Sequence, residues 1–335
     1  MKTIKIKYVD MWKSFLPERE MFYEFLCNHP EKYKVEFSDD PDYILFGVFG
    51  NENLKYDCIR IFVGHEYRFP DFNMCDYAVG NCDFDFPGRY YYYPIIYTPF
   101  YREAYKKMEN RNADGINIRE KEFCAFTYSN RYANRIREEF FHELNNYKRI
   151  DSGGRFMNNV GGPVKDKLEF ESQYKFSIAF ENETAPGYMT EKISESFAAG
   201  CVPIYWGDPL IKRVFNEKAF INISDFASID EAIELIKKID NDDELYYKMI
   251  KESTIKDEFK LENILMGFDK FASYIFDQPI EEARRLTVRW YLERARRNKK
   301  ILDLAERNNE LYTYLMATKY RLSQKKGEKR TENGS

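Results

Sequence analysis

Apolar and charged residues alternate along Met1–Lys–Thr–Ile–Lys–Ile–Lys–Tyr–Val9, and a period of two predicts an opening strand over Thr3–Val9. Apolar runs at Tyr43–Phe49, Cys58–Val63 and Tyr77–Val79 predict three more strands, and helical spacing in Glu18–Cys27 places a helix after the first. Strands alternating with helices imply a parallel α/β arrangement. The stretch Lys106–Glu122, with Asn110, Asn112, Asp114 and Gly115, has no apolar period and is expected to be a linker. A second set follows: a strand near Phe123–Tyr128, a helix near Ala133–Asn145, a strand near Tyr174–Phe180, a helix near Thr190–Ala199 and a strand near Val202–Tyr205. Gly200 stands where a helix C-cap glycine belongs. Ile229, Ala232, Ile233, Ile236 and Ile239, spaced by three and four, predict a further helix. A chain of 335 residues is long enough for two such domains with full cores.

Beyond Pro279 the pattern changes to strong helix formers. Ile301, Asn308, Leu315 and Leu322, with Leu304, Leu311 and Thr318, keep a heptad spacing that fits a short coiled coil with Asn308 setting register. A basic amphipathic helix lying on the body or on a membrane surface fits equally well, and Lys325–Ser335 has the composition of a disordered end. Charge sharpens the division: after Pro279 there are 15 Lys and Arg against 8 Asp and Glu, whereas the rest carries 37 against 48. A basic tail suits an anionic surface or a second copy of the chain, and an acidic body argues against nucleic acid as partner. No window approaches the roughly eighteen uninterrupted apolar residues of a membrane span. The first residues lack the apolar core and cleavage site of a signal peptide. Six scattered cysteines without a Cys-x-x-Cys pair argue against zinc or redox use, so a cytoplasmic protein is expected, with the tail able to reach the inner membrane face.

The chemistry concentrates in Phe180–Glu–Asn–Glu–Thr–Ala–Pro–Gly–Tyr–Met–Thr–Glu–Lys192: an apolar strand, a Gly/Pro turn and a helix start with Thr190 suited to the N-cap. Such a unit aims the first N–H groups of a helix at the sheet's carboxyl edge, where the dipole attracts a diphosphate. Lys192 can neutralise a departing phosphate and Glu191 can accept bonds from ribose hydroxyls; the plainer reading is a surface Glu–Lys pair. Asn182 and Tyr188 flank the same turn. In Asp151–Ser–Gly–Gly–Arg155, Gly154 could let backbone approach a nucleotide, or the segment is an ordinary turn. Arg131, Arg135 and Arg137 lie between a strand and a helix, where an arginine could hold a diphosphate or pair with Glu138, Glu139 and Glu143. In the first half, His65 and Glu66 directly follow an apolar strand, and either could act as a general base. Asp83–Phe–Asp85 has the form of a manganese-binding Asp-x-Asp but sits in a turn-rich segment, and the run Tyr90–Tyr93 suits sugar stacking or core packing.

Taken together, Phe180–Glu–Asn182, Gly187–Tyr–Met–Thr–Glu–Lys192 and Val202–Pro–Ile–Tyr–Trp–Gly207 resemble the donor-binding signature of the α-1,3/1,4-fucosyltransferases, particularly the bacterial members. Pro70–Asp–Phe72, Cys75–Asp–Tyr–Ala78 and Tyr147–Lys–Arg–Ile–Asp–Ser–Gly–Gly–Arg155 extend the resemblance from about residue 40 to about residue 240. It implies a GT-B fold of two facing Rossmann-like domains: 1–115 for the acceptor, 116–278 for the donor, and a helical tail over 279–335. It implies inverting transfer of L-fucose from GDP-fucose to the GlcNAc 3-OH or 4-OH of Gal–GlcNAc acceptors in surface glycans, as in Lewis-type antigens. Matched position by position, Asn182, Tyr188, Glu191 and Lys192 fall on contacts to GDP-fucose, Arg137 on a phosphate-binding arginine with Arg135 as substitute, and Glu66 on the catalytic base. Bacterial relatives read Gly–Glu–Asn where this chain reads Gly64–His65–Glu66–Tyr67, which leaves His65 unassigned at the acceptor side, near Trp12. With fixed cations on the diphosphate, no metal or other cofactor is required. Two other readings stay open: a GT-B enzyme with a different nucleotide-sugar donor, and a non-catalytic glycan-binding scaffold. A dinucleotide oxidoreductase is disfavoured, since no Gly-x-Gly-x-x-Gly follows a strand.

Overall fold

The computed structural model describes residues 1–286 and 290–298. The heptad positions from Ile301 to Leu322 and the charged end lie outside the described residues.

Two all-parallel sheets organise the chain. The first contains β1 (Lys2–Val9), β2 (Tyr33–Phe37), β3 (Tyr43–Phe46), β4 (Ile59–Gly64), β5 (Tyr77–Gly80) and β6 (Tyr90–Tyr92) in the order β2-β1-β3-β4-β5-β6. The second contains β7 (Glu122–Phe126), β8 (Ile150–Ser152), β9 (Tyr174–Phe180), β10 (Val202–Trp206) and β11 (Ile221–Asn222) in the order β11-β10-β9-β7-β8. Strand order therefore reverses between β1 and β3 in one sheet and between β7 and β9 in the other. At each reversal the connections leave on opposite faces and open a crevice at the strands' carboxyl ends.

The linker is shorter than expected. Helix α1 (Met21–Asn28) follows β1, and α2 (Arg102–Glu109) takes in residues the polar stretch was expected to leave irregular, because Ala104, Tyr105 and Met108 bury one face of it. Gly200 has φ +74° and ends the helix before β10, as its position predicted. The long helix Leu261–Asp277 belongs in sequence to 116–278, yet it packs on the first sheet. Its Phe268, Phe271, Ile275 and Phe276 share a core with Ile4, Phe22, Phe25 and Tyr43, and the Tyr33 hydroxyl donates to its Asp277. That same core continues through Met189, Ile193, Phe197 and Tyr205 of the second half. The two halves are joined by apolar packing as well as by chain.

Candidate functional site

β9 delivers its last residue, Phe180, beside Trp206 of β10, and the loop that follows holds the residues expected to bind a diphosphate. Tyr128, just beyond β7, fixes this edge: its hydroxyl donates to Ile178 O at 2.7 Å and accepts the Phe180 N–H at 2.6 Å. Glu181 comes next and is fully buried. Its Oε1 accepts the Thr190 N–H at 2.7 Å, and its Oε2 accepts the Thr190 hydroxyl at 2.7 Å and Lys192 Nζ at 3.2 Å. Lys192 also donates to Thr190 Oγ1 at 2.7 Å and Glu191 Oε1 at 3.4 Å. Thr190 occupies the N-cap position of the helix Glu191–Ala198, but its hydroxyl joins this cluster instead of capping the helix.

Two carboxylates around one ammonium set its ionisation. Burial alone would lower the Lys192 pKa, but Glu181 and Glu191 outweigh it and hold the ammonium well above the ordinary lysine value. Burial likewise pushes Glu191 up, and Lys192 with Lys167 more than reverses this. Both side chains stay charged at neutral pH, at a helix N-terminus that itself favours anions.

The remaining donor-side residues are arranged in two tiers. Asn182 and Tyr188 lie in the loop itself, with Tyr188 buried under its turn. Arg137, only 1% exposed, lies beneath: Nη2 donates to Phe180 O at 2.9 Å and Asn182 Oδ1 at 3.0 Å, and the guanidinium stacks on Tyr128 at 3.9 Å. Its position is that of a holder of Asn182 and a charge behind the loop, whereas Arg135 stands exposed at the start of the helix Ile136–Tyr147. Gly154 is also structural here. A Cβ would collide with the Tyr128 backbone, so the close approach it permits is between two loops of the protein.

The residues expected on the acceptor side gather at the first sheet's reversal, around a cavity of about 400 Å³ walled in part by Trp12, Glu20, His65, Glu66 and Tyr101. Trp12 is exposed, packed edge-on against Phe15. His65 Nδ1 lies 3.2 Å from Asn81 Oδ1, and burial lowers its pKa to about 4, so the ring is neutral. Glu66 opens to the cleft; desolvation raises its pKa, with Lys192 lowering and Glu191 raising it further. Its neighbour Tyr67 crosses to the second half, where the hydroxyl donates to Thr184 O at 3.3 Å and the ring meets Tyr188 edge-on at 5.3 Å. Base candidate and diphosphate loop thus face one cleft.

Several contacts fix the halves against each other. Both oxygens of Asp83 accept from Arg213, at 2.8 and 3.1 Å, so this aspartate serves an ion pair across the seam. The Asp83 N–H donates to Pro186 O at 2.7 Å, and Gly187 (φ +79°) leaves no room for a side chain against Asp83. Tyr92 donates to Gly187 O at 3.0 Å, and Tyr90, Tyr91 and Tyr93 also donate to backbone carbonyls, which makes the tyrosine run a set of internal ties.

Sequence reasoning missed Glu181, Asp208, Arg213 and Glu20. Glu181 alone left a signal, an acid placed directly after the apolar end of a strand, Ile178–Ala–Phe180. Asp208, 2% exposed, accepts the N–H groups of Gly187 at 2.7 Å and Leu210 at 2.8 Å through Oδ1. Burial raises its pKa to about 6 despite these bonds. Because the folded value lies above the unfolded one, its contribution to stability is full in acid and is lost as pH rises through about 6. Asp208→Asn, which keeps the accepting oxygen, is expected to flatten that part of the melting-temperature profile; an unchanged slope would contradict this assignment.

The family model described as glycosyltransferase family 10 (fucosyltransferase) C-term matches residues 117–264, and that of the alpha-(1,3)-fucosyltransferase FucT N-terminal domain matches 6–101. The chain is 32% identical over 262 residues to alpha-(1,3)-fucosyltransferase FucT of Helicobacter pylori, covering 67% of this chain and 55% of that protein. It is 37% identical over 209 residues to a putative fucosyltransferase of Acanthamoeba polyphaga mimivirus, covering 57% and 33%. The chain thus spans about half, or less, of the curated relatives it matches. Crystal structures of an alpha1,3-fucosyltransferase superpose with TM-score 0.68 both with GDP, at 27% identity over 83% of this chain and 93% of that one, and with GDP-fucose, at 26% over 83% and 92%.

Proposed function

Because this chain belongs to the family 10 fucosyltransferases and has their GT-B arrangement of two parallel-sheet domains, we propose that it moves L-fucose from GDP-fucose onto Gal–GlcNAc acceptors of surface glycans. The transfer goes with inversion to the GlcNAc 3-OH or 4-OH. The observation that carries this reading is the cluster of Lys192, Glu191 and Glu181 at a helix N-terminus, opposite Glu66 across the cleft.

The acceptor hydroxyl gives its proton to the Glu66 carboxylate, and its oxygen attacks the anomeric carbon from the face away from the nucleotide. The bond from that carbon to the diphosphate oxygen breaks in the same displacement, so configuration inverts. GDP leaves with the electron pair. Lys192 and the helix N-terminus stabilise that charge, Arg137 adds to it from beneath while holding Asn182, Glu191 receives the ribose, Tyr188 borders the donor, and Gly154 shapes the crevice wall. His65 and Trp12 line the acceptor side. The basic surplus after Pro279 supports attachment to an anionic membrane surface, and the heptad from Ile301 supports pairing of two copies.

The test is GDP release. Mixing the protein with GDP-fucose and N-acetyllactosamine should yield GDP and fucosylated product in equal amounts. Binding of the glycan without turnover would make the protein a scaffold instead, and turnover with a UDP-sugar alone would change the donor.

A further inference from the structure

The acceptor-side cavity is walled by a carboxylate to which the displacement assigns no role. Glu20 is 4% exposed and directly precedes α1. All its bonds fall on one oxygen: Oε2 accepts the N–H of Phe22 at 2.9 Å, the N–H of Tyr23 at 3.1 Å and the Tyr8 hydroxyl at 2.6 Å. The other oxygen, Oε1, is buried and has no hydrogen-bond partner. Buried oxygens are nearly always partnered, because leaving one bare forfeits its hydration for nothing. An orphaned oxygen on a carboxylate whose side chain lines a cavity is a site waiting for a donor.

The rest of the wall narrows what that donor is. Asn81 Oδ1 also accepts the Ile95 N–H and is an acceptor toward His65 Nδ1, so Nδ1 carries the imidazole proton and Nε2 keeps its lone pair. Glu20, His65 and Glu66 then all offer acceptors, while Trp12 and Tyr101 offer aromatic surface. Among the described residues the one cation on the wall, Arg19, is exposed and lies over the Phe100 ring at 5.2 Å. Acceptors grouped with aromatic faces match a neutral ligand rich in hydroxyls with one apolar face, which is a pyranose. We infer that Glu20 is a specificity-determining residue, whose Oε1 accepts a hydrogen bond from an acceptor-sugar hydroxyl other than the one Glu66 deprotonates. It selects the pyranose through binding shared by ground state and transition state, so it acts on acceptor affinity. Burial raises the Glu20 pKa to about 7, the mark of a carboxylate short of donors. This inference rests on the acceptor reading proposed above.

Glu20→Gln in the full chain tests it, since the amide keeps an oxygen for Phe22 and Tyr23 and replaces Oε1 by an NH₂. With N-acetyllactosamine and its singly deoxygenated analogues, the acceptor KM is expected to rise about tenfold, with kcat and the KM for GDP-fucose within about twofold. Removing one particular hydroxyl should cost the wild type about tenfold and the variant little, a coupling that a merely structural role would not produce. Should Glu20→Gln not fold, Glu20→Asp, which shortens the carboxylate, is expected to weaken the contribution of that same hydroxyl. An unchanged acceptor KM, or an equal loss for every analogue, would overturn the role of Glu20 while wild-type transfer stands. Absence of transfer by the wild type to either Gal–GlcNAc isomer would overturn the acceptor reading and this inference together.

Discussion

Lys192→Met is expected to lower kcat by about two to three orders of magnitude, the usual cost of removing one fixed group that stabilises developing charge. The same change should destabilise the fold. Lys192 is 13% exposed on its side chain and Glu181 is fully buried, and deleting one member of such a pair strands the other. The penalty should fall at the low end of the usual range, about 3 kcal/mol, because the N–H and hydroxyl of Thr190 still reach Glu181. Chemical denaturation and turnover measured together separate the two effects. Adding Glu181→Gln to Lys192→Met removes the stranded charge, so the double variant should regain most of the stability and none of the turnover. Recovery of turnover in the double variant would mean that Lys192 serves only to neutralise Glu181.

Glu66→Gln is expected to reduce turnover by about two to four orders of magnitude while GDP-fucose binds with nearly normal affinity. The base must be ionised to work, and its pKa is raised by desolvation, so the acid limb of kcat/KM should lie above the ordinary glutamate range. Activity therefore falls as pH drops through that raised value and recovers above it. His65, neutral down to about 4, does not supply this limb. In Glu66→Gln the limb should vanish from kcat, leaving in kcat/KM only the titration of Glu20, whose pKa is raised to about 7. Near-normal turnover in that variant, with the limb intact, would move the base to another residue of the cleft.

The strand, turn and helix that carry the proposed donor residues were largely legible in sequence because their determinants are local. β9 runs over Tyr174–Phe180 as its apolar run predicts, and the helix after it begins at Glu191, one residue inside the expected start. A strand, a turn and a helix start within twenty-odd residues fix where Asn182, Glu191 and Lys192 stand. The acceptor side was less legible because it is assembled from distant segments. Glu20 reaches its cavity from before α1, while His65 and Glu66 arrive after β4, and nothing in their spacing links them. Short strands such as β6 and β11 carry too few residues to show a period. The helix Leu261–Asp277 was assigned by position to the second half, yet its Asp277 bonds Tyr33 from 244 residues away, a pairing only the folded chain reveals. Asp83 looked like half of a metal motif because its partner Arg213 lies 130 residues further on.

The central claim is that this cleft performs one inverting displacement on GDP-fucose. Nuclear magnetic resonance of the product from a single incubation with GDP-fucose and both Gal–GlcNAc isomers tests it most directly. The account predicts one fucosyl group on GlcNAc, at the 3- or 4-hydroxyl, with anomeric configuration opposite to that of the donor and one GDP released per linkage. A product with the donor's configuration would contradict it.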